Sequence, residues 1–194
     1  MDLSLYKVIL ASKSPRRKEL LSSVCEEFDI LTAEVDEQLP EGVHPREGVE
    51  LLAVRKGAPI AEGAPEAIVI SSDTLVELGG VPLGKPTSRE HAIEMLRALS
   101  GRAHNVHTGV AVHYRGRVYS GVDSTAVRFR DMSDSEICEY VDGGEPMDKA
   151  GAYGIQGEGG KFVLGYDGEF DTVMGLSVKL TRALIERALG GALE

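Results

Sequence analysis

An aspartate, a threonine and a lysine near the middle of the chain are suited to phosphate chemistry. Asp73 and Thr74 follow the apolar, β-branched run 67–70, which predicts a short buried strand that ends before them. Lys85 lies between a glycine and a proline, a pattern typical of a fixed loop. Because ligands of α/β proteins bind where strands end, these residues suit a metal-bound phosphate substrate. Read alone, they fit a turn-capping aspartate and a solvated lysine at least as well.

The start of a predicted helix offers a second candidate site. The run 12–17 follows a predicted strand, and Ser14 and Pro15 suit the N-cap and the first helical turn. The free N–H groups and the macrodipole at a helix start attract anions. Arg16 and Arg17 have the wrong charge for helix stability there, which a bound phosphate would explain. Ordinary solvated arginines are the alternative.

Acidic residues could supply a metal ligand. The cluster Glu34–Glu37 follows a predicted strand over 28–32. Because Mg²⁺ is typically held by one or two carboxylates together with substrate phosphates, this cluster could add an oxygen ligand beside Asp73. Such clusters are usually solvated, so this one is weak evidence by itself. In the next predicted helix, 45–61, Lys56 is either a surface lysine or a phosphate contact.

Local signals place further elements along the rest of the chain. Ser88 predicts a cap for a helix that ends before Gly101, and a capping box at 133–136 predicts another helix. A turn at 115–116 predicts a hairpin of two strands. The predicted ranges are 89–99 for the first helix, 105–114 and 117–130 for the hairpin, 133–141 for the next helix, 162–164 for a short strand and 177–189 for a final helix.

The longest polar stretch without periodicity, 145–157, predicts a functional loop. Gly159-Gly160-Lys161 follows it and suggests a Walker motif, but Phe162 stands where that motif requires Ser or Thr. His104 and His107 have an odd spacing on a predicted strand. They therefore face opposite sides, and we interpret them as non-catalytic.

Composition limits the class of protein. The 194 residues predict one domain over 1–194, and 42% hydrophobic residues are ample for a folded core. A net charge of −10 argues against nucleic acid or a membrane surface as a partner, and no apolar run approaches the ~18 residues of a membrane span. Cys25 and Cys138 show no metal spacing, and Asp2 interrupts any secretion signal. We therefore expect a cytoplasmic protein with reduced thiols.

Several of these segments together resemble one family, the Maf nucleotide pyrophosphatases. The resemblance covers nearly the whole chain, and the motifs occur in order: LASKSPRR at 10–17, SDT at 72–74, GKP at 84–86, LSGR at 99–102 and DKAGAYGIQG at 148–157. The last motif is similar to that of the branch acting on dTTP and UTP. Ser71-Ser72 depart from the small apolar residues or glycine that are commoner there.

The resemblance implies a two-lobed α/β fold with a mixed sheet, flanking helices and a central cleft, like the inosine triphosphate pyrophosphatases. It implies a homodimer, Mg²⁺ or Mn²⁺, and hydrolysis of a nucleoside triphosphate to its monophosphate and pyrophosphate. By matching motifs it also implies a role for each of nine residues. These are Asp73 as proton acceptor and metal ligand, Glu37 as metal ligand, Ser12, Arg17, Lys56 and Lys85 as phosphate contacts, and Arg16, Thr74 and Gln156 in base choice.

The position of the metal ligand and the role of Gln156 each have two possible interpretations. Asp36 and Glu37 are adjacent acids, so the register of the metal ligand is not fixed. Gln156 carries an amide donor and an acceptor that suit a uracil or thymine edge, or it ties its loop to its own backbone. The alternative functions are a pyrophosphatase that prefers purine nucleotides or 7-methyl-GTP, and a non-catalytic nucleotide-binding regulator of septum formation.

Overall fold

Residues 2–190 are described by the structure, a computed structural model, and they form a mixed α/β fold with one seven-stranded sheet. The strands are β1 (Val8–Leu10), β2 (Asp29–Ile30), β3 (Ile68–Leu78), β4 (Val81–Leu83), β5 (Ala103–Tyr114), β6 (Arg117–Phe129) and β7 (Val163–Asp167). The helices are α1 (Pro15–Ser22), α2 (Pro45–Gly63), α3 (Arg89–Leu99), α4 (Asp134–Asp142), α5 (Phe170–Met174) and α6 (Val178–Gly190). The predicted domain over 1–194 also includes residues 1 and 191–194, which lie outside the described residues.

The sheet has the strand order β2-β1-β3-β5-β6-β7, with β4 paired to β3. β1 runs parallel to both of its neighbours, with Ile9 opposite Asp29 on β2 and Val69 on β3. β4 runs antiparallel to β3, and β7 antiparallel to β6. The parallel pairs are joined through α1 and α2, since parallel strands need a long crossover connection. The predicted mixed sheet with flanking helices is confirmed.

The chain divides into two compact units, each assembled from separate segments. The first unit contains Met1–Asp73, Thr108–Asp123 and Gly175–Glu194. The second contains Thr74–His107 and Ser124–Met174. Three strands, β3, β5 and β6, therefore contribute residues to both units.

The first unit buries both faces of β1 and of the first half of β3. Leu10 and Ile70 belong to a core that includes Leu21 of α1 and Leu184 of α6. The alternate residue Val69 belongs with Ile9 to a smaller core that includes Ile60 of α2. Strands covered on both faces are apolar at every position, which explains the continuous apolar run that predicted β3.

The second unit is built around packed aromatic rings. Phe129 lies edge-on to Tyr153, with ring centroids 4.7 Å apart, and to His104 at 4.9 Å. His104 Nε2 lies 2.8 Å from the Tyr153 hydroxyl, and His107 Nε2 lies 2.7 Å from Glu77 Oε2. Both histidines are buried and serve as cross-links inside this unit.

The helix starts follow their sequence signals. Ser14, Ser88 and Ser133 each accept a hydrogen bond from a backbone N–H in the first turn of the helix that follows. The capping box is complete, since Glu136 also accepts from the Ser133 N–H at 2.9 Å. Short 3₁₀ turns fill much of the predicted loop 145–157. β4 and α5 were not predicted.

One prediction about β3 is wrong. The strand does not end at Ile70 but runs to Leu78, so Asp73 lies inside a strand and not after one. The chain stays extended because the hydroxyls of Ser71 and Ser72 are buried but satisfied. Ser71 Oγ donates to the Ala53 carbonyl at 2.6 Å, and Ser72 Oγ donates to the Gly175 carbonyl at 3.0 Å.

Two further observations bear on the class of protein. Within residues 2–190, no helix combines the length and the apolar character needed to cross a membrane. Cys25 and Cys138 are both free thiols, and burial raises the pKa of Cys25.

Candidate active site

The first unit holds a lysine between two carboxylates. Lys56 Nζ donates to Asp73 Oδ1 at 2.6 Å and lies 3.0 Å from Glu37 Oε1. Lys56 comes from α2, Asp73 from β3 and Glu37 from the segment between β2 and α2. Asp73 is buried, whereas the Glu37 side chain is 62% exposed. The sequence predicted Lys56 either as a surface lysine or as a phosphate contact. In the structure, Lys56 instead forms ion pairs with both of the acids that are assigned to the metal.

The neighbouring acid in the sequence lies elsewhere. Asp36 Oδ1 accepts a hydrogen bond from the Gln38 N–H at 2.9 Å and makes no ion pair among the residues described. The structure thus brings Glu37, and not Asp36, to Lys56. Of the two adjacent acids, Glu37 is thus the one placed where it could join Asp73 in holding a cation.

A close contact of α2 with the sheet fixes the position of Lys56. Ser71 Oγ donates to the Ala53 carbonyl one turn earlier in the same helix. Gly57, the residue after Lys56, leaves room for this contact. A Cβ at Gly57 would lie 2.5 Å from His113 Nε2 and 2.6 Å from Ser71 Oγ. The helix can therefore hold Lys56 against Asp73 only with glycine at position 57.

The Arg17 guanidinium is oriented by a single backbone carbonyl. Arg17 Nε donates to the Gly175 oxygen at 2.9 Å, and Ser72 Oγ donates to the same oxygen at 3.0 Å. Arg17 Nη1 also donates to Ser12 Oγ at 3.4 Å. Gly175 has a φ of 114°, a conformation that favours glycine. Ser72 and Gly175 therefore support Arg17, a role that sequence reasoning missed.

The charges of this set are mixed and partly buried. Burial lowers the pKa of Arg17, while the Asp73 carboxylate raises it, and an arginine keeps its proton at neutral pH. Arg16 is half-buried, and its side chain has no hydrogen bond or ion pair within residues 2–190. The Arg16 side chain is thus not held by any partner among the described residues, and its role as a phosphate or base contact stays a prediction.

The second unit carries Thr74, Lys85 and Gln156. Thr74 lies half-buried in β3, and Lys85 follows β4 as an exposed side chain without an ion pair in the described chain. Gln156 is exposed, and its side chain makes no hydrogen bond to the rest of the described residues. The alternative in which Gln156 ties its loop to its own backbone is therefore not observed.

The loops that carry Lys85 and Gln156 are joined within this unit. The Gly151 N–H donates to the Gly84 carbonyl at 3.0 Å. Gly151 has a φ of 68°, and a Cβ there would lie 2.8 Å from Val76 on β3. Within this unit, the segment before Gln156 thus packs against Val76 of β3 and is hydrogen-bonded to the loop that carries Lys85.

The donor set around Lys56 suits a hard divalent cation. Two carboxylates converge there, and no group of three or more His, Cys, Asp or Glu residues that could hold a metal occurs in the described chain. Mg²⁺ commonly takes one or two carboxylates and completes its shell with water and substrate phosphates. Glu37 and Asp73 fit that pattern, and they do not form a complete cage by themselves.

Comparison with known proteins shows the family of this chain. The family model described as Maf-like protein matches residues 7–188. The chain is 45% identical to the dTTP/UTP pyrophosphatase of Bacillus velezensis over 93% of its own length and 96% of that protein. It is 46% identical to the dTTP/UTP pyrophosphatase of Photorhabdus laumondii, over 92% of each. Among solved structures, the Ham1 protein of Staphylococcus aureus aligns over 96% of this chain and 97% of its own, with 16% identity and a TM-score of 0.49. The chain belongs to the Maf family.

Proposed function

We propose that the protein is a nucleoside triphosphate pyrophosphatase that hydrolyses dTTP and UTP to the monophosphate and pyrophosphate, as a housekeeper of the nucleotide pool. The observation that carries the proposal is the convergence of Lys56 on Asp73 and Glu37 in the unit that also orients Arg17. Relatives of the same length, at 45% and 46% identity, are dTTP/UTP pyrophosphatases. A non-catalytic binder would not need an oriented buried carboxylate.

The proposed mechanism divides the work among these side chains. Arg17, with Ser12 and the N–H groups at the start of α1, neutralises phosphate oxygens. Lys56 holds the Asp73 carboxylate in one orientation, so that Asp73 can accept a proton from the attacking water. A Mg²⁺ or Mn²⁺ ion held by Glu37 and Asp73 would lower the pKa of its bound water and offset phosphate charge. The Lys85 side chain contributes a further positive charge.

Base selection is assigned to Gln156, Thr74 and Arg16. The Gln156 amide can pair with the N3–H and one carbonyl of uracil or thymine, whereas cytosine has no N3–H and would leave polar groups unpaired. Such a mismatch is worth ~10²-fold or more in kcat/KM. Measuring kcat/KM for dTTP, UTP, CTP, GTP and 7-methyl-GTP tests this. The proposal fails if wild type shows no preference for dTTP and UTP, or if Gln156→Ala keeps it.

The metal is a separate part of the proposal. Because Glu37 and Asp73 offer only hard oxygen ligands, we expect activity to depend on Mg²⁺ or Mn²⁺. Removal of divalent ions with EDTA should abolish pyrophosphate release, and addition of either ion in excess should restore it. Full activity after exhaustive EDTA treatment and dialysis would contradict a metal role.

We also propose a homodimer that works in the cytoplasm, without a nucleic acid or membrane partner. The net charge of −10 supports the last two points, because nucleic acids and the cytoplasmic membrane surface are anionic. Light scattering at micromolar concentration should give twice the chain mass of 20.8 kDa. A monomer under those conditions would refute the dimer and leave the proposed activity intact.

A further inference from the structure

A carboxylate in the second unit fastens the turn that carries Gln156. We call residues 154–159 the Gln156 turn. Glu145 Oε2 accepts from the Glu158 N–H at 2.9 Å, and Glu145 Oε1 accepts from the Gly159 N–H at 3.3 Å. The Tyr140 hydroxyl donates to Glu145 Oε1 at 2.9 Å and accepts from the Gly154 N–H at 3.1 Å. Both ends of the turn are thus fixed to one carboxylate–phenol pair.

The glycines beside Gln156 allow this close approach. A Cβ at Gly157 would lie 2.3 Å from Glu145 Oε2, and one at Gly154 would lie 2.7 Å from Glu145 Oε1. A Cβ at Gly159 would lie 2.6 Å from the Tyr140 oxygen. The turn therefore lies directly on the pair, and its glycines are required by contact with it.

The same turn leaves the Gln156 side chain exposed. Its backbone is held at both ends, while its amide makes no hydrogen bond within residues 2–190. A recognition group binds best when its stem is already ordered, because less conformational entropy is then lost on binding. Glu145 and Tyr140 provide that order without occupying the amide.

The charge state of the pair is stable near neutral pH. Burial raises the pKa of Tyr140, and the nearby Glu145 adds to this, so the phenol keeps its proton. Burial also acts to raise the pKa of Glu145, but the N–H groups of Glu158 and Gly159 and the Tyr140 hydroxyl outweigh it and lower that pKa overall. The carboxylate is therefore ionised and can accept all three hydrogen bonds.

We propose that Glu145 is a positioning residue for base selection, which acts through Tyr140 and the Gln156 turn on the Gln156 amide. The inference rests on the proposed dTTP and UTP activity. It assigns Glu145 no part in the chemistry of the phosphates, since the hydrogen bonds of its carboxylate are to Tyr140 and the Gln156 turn.

The test replaces Glu145 by glutamine. One oxygen that accepts an N–H becomes an NH₂ group that cannot, so at least one fastening bond is lost. Loss of a hydrogen bond to a charged group loosens the turn, so the preference of kcat/KM for UTP over CTP should fall roughly tenfold. The loss should appear as a higher KM for UTP, with kcat changed less than about threefold. Glu139→Gln is the matched control, because Glu139 is an exposed glutamate on α4, the helix that carries Tyr140, and it makes no side-chain hydrogen bond in the described chain. It should leave the preference unchanged.

A second readout does not depend on catalysis. In the substrate-free protein, amide hydrogen exchange at Glu158 and Gly159 should be faster in Glu145→Gln, but not in Gln156→Ala. The double variant should discriminate no worse than Gln156→Ala alone, because both changes act on one amide. If Glu145→Gln does not fold, Tyr140→Phe deletes one hydroxyl and should weaken the UTP preference in the same direction.

The outcomes separate the two hypotheses. If wild type fails to prefer UTP over CTP, the proposed function and the role of Glu145 both fall. If wild type has the preference and both Glu145→Gln and Tyr140→Phe retain it in full, the role of Glu145 is overturned and the proposed function stands. An additive loss in the double variant would also overturn it.

Discussion

At the scale of single residues, the Lys56–Asp73 pair combines stability with chemistry. The Lys56 side chain is 19% exposed and that of Asp73 is 12% exposed, so water screens this ion pair less than a surface pair. Removing Asp73 leaves Lys56 with only the mostly exposed Glu37 as its partner, which costs less than the ~3–5 kcal/mol of a fully unpaired buried charge. Glu37 is mostly exposed, and its contact with Lys56 contributes little to stability. Asp73 is therefore the acid whose pairing with Lys56 is more shielded from water, and it is also the proposed proton acceptor.

We expect Asp73→Asn to abolish turnover while largely retaining nucleotide binding. The asparagine amide can still accept a hydrogen bond from Lys56 but cannot take a proton from water, and loss of an activating carboxylate commonly costs ~10²–10⁴-fold in rate. Asp36→Asn makes the same chemical change in the acidic segment without touching Lys56, and it should retain activity. Calorimetric titration with UTP and a pyrophosphate-release assay give the two quantities. Turnover near the wild-type rate would remove Asp73 from the mechanism.

At the scale of elements, features that depend on neighbouring residues were predictable, whereas features that depend on distant contacts were not. The starts of α1, α3 and α4 were predictable because Ser14, Ser88 and Ser133 cap helices within a few residues of themselves. The extent of β3 was not, because the hydroxyls of Ser71 and Ser72 find acceptors far away in the chain. Two polar residues in a row predict the end of a strand, but hydrogen bonds to distant carbonyls keep Ser71 and Ser72 inside β3.

The candidate site divides in the same way. The family resemblance implied roles for nine residues, but which of them contact each other was not predictable. Lys56 approaches Asp73 through the packing of α2, and Arg17 is oriented by Gly175, which is 158 positions away in the chain. Neither contact has a local sequence signal. The nearest signal was the unusual Ser71-Ser72 in an apolar strand, since buried hydroxyls require acceptors.

The short connection between α5 and α6 gives an element-scale prediction. Gly175→Ala places a side chain at a φ of 114°, which costs ~1–3 kcal/mol and displaces the carbonyl that Arg17 uses. We expect kcat/KM to fall at least about tenfold, because a phosphate contact is misplaced. Gly116→Ala is the control, since it also has a positive φ, of 73°, but a Cβ there meets no atom within 4 Å. Both variants should melt earlier, but equal kcat/KM values would contradict the role of Gly175.

At the scale of the whole molecule, each unit has its own core, and the second unit contains a buried histidine in its core. Burial lowers the pKa of His104 to about 4 from the ordinary 6.5. His104 Nδ1 has no hydrogen-bond partner in the described chain, so a second proton there would be buried and unpaired. Neutral His104 favours the folded state above pH 6.5, and this advantage is lost as the pH falls from 6.5 towards 4.

We therefore expect acid to destabilise the protein partly through His104. Between pH 7.5 and pH 5.0, its contribution to the free energy of unfolding should fall by about 2 kcal/mol. Urea unfolding of wild type and His104→Phe at both values measures this. The variant should be less stable at pH 7.5, because the Tyr153 hydroxyl loses its partner, but it should lose less stability on acidification. Parallel pH dependences of the two proteins would contradict the prediction.

The carbonyl shared by Arg17 and Ser72 also bears on protein synthesis. Gly175 is translated 158 residues after Arg17. Helix α6, which contributes Leu184 and Ile185 to the larger core of the first unit, is translated later still. Every segment of the second unit has been translated by Met174. A ribosome stalled at that codon would thus carry all of the second unit and an Arg17 without its acceptor. We therefore expect a chain that ends at Met174 to be inactive towards nucleotides, because Arg17 then lacks its acceptor and the core lacks α6.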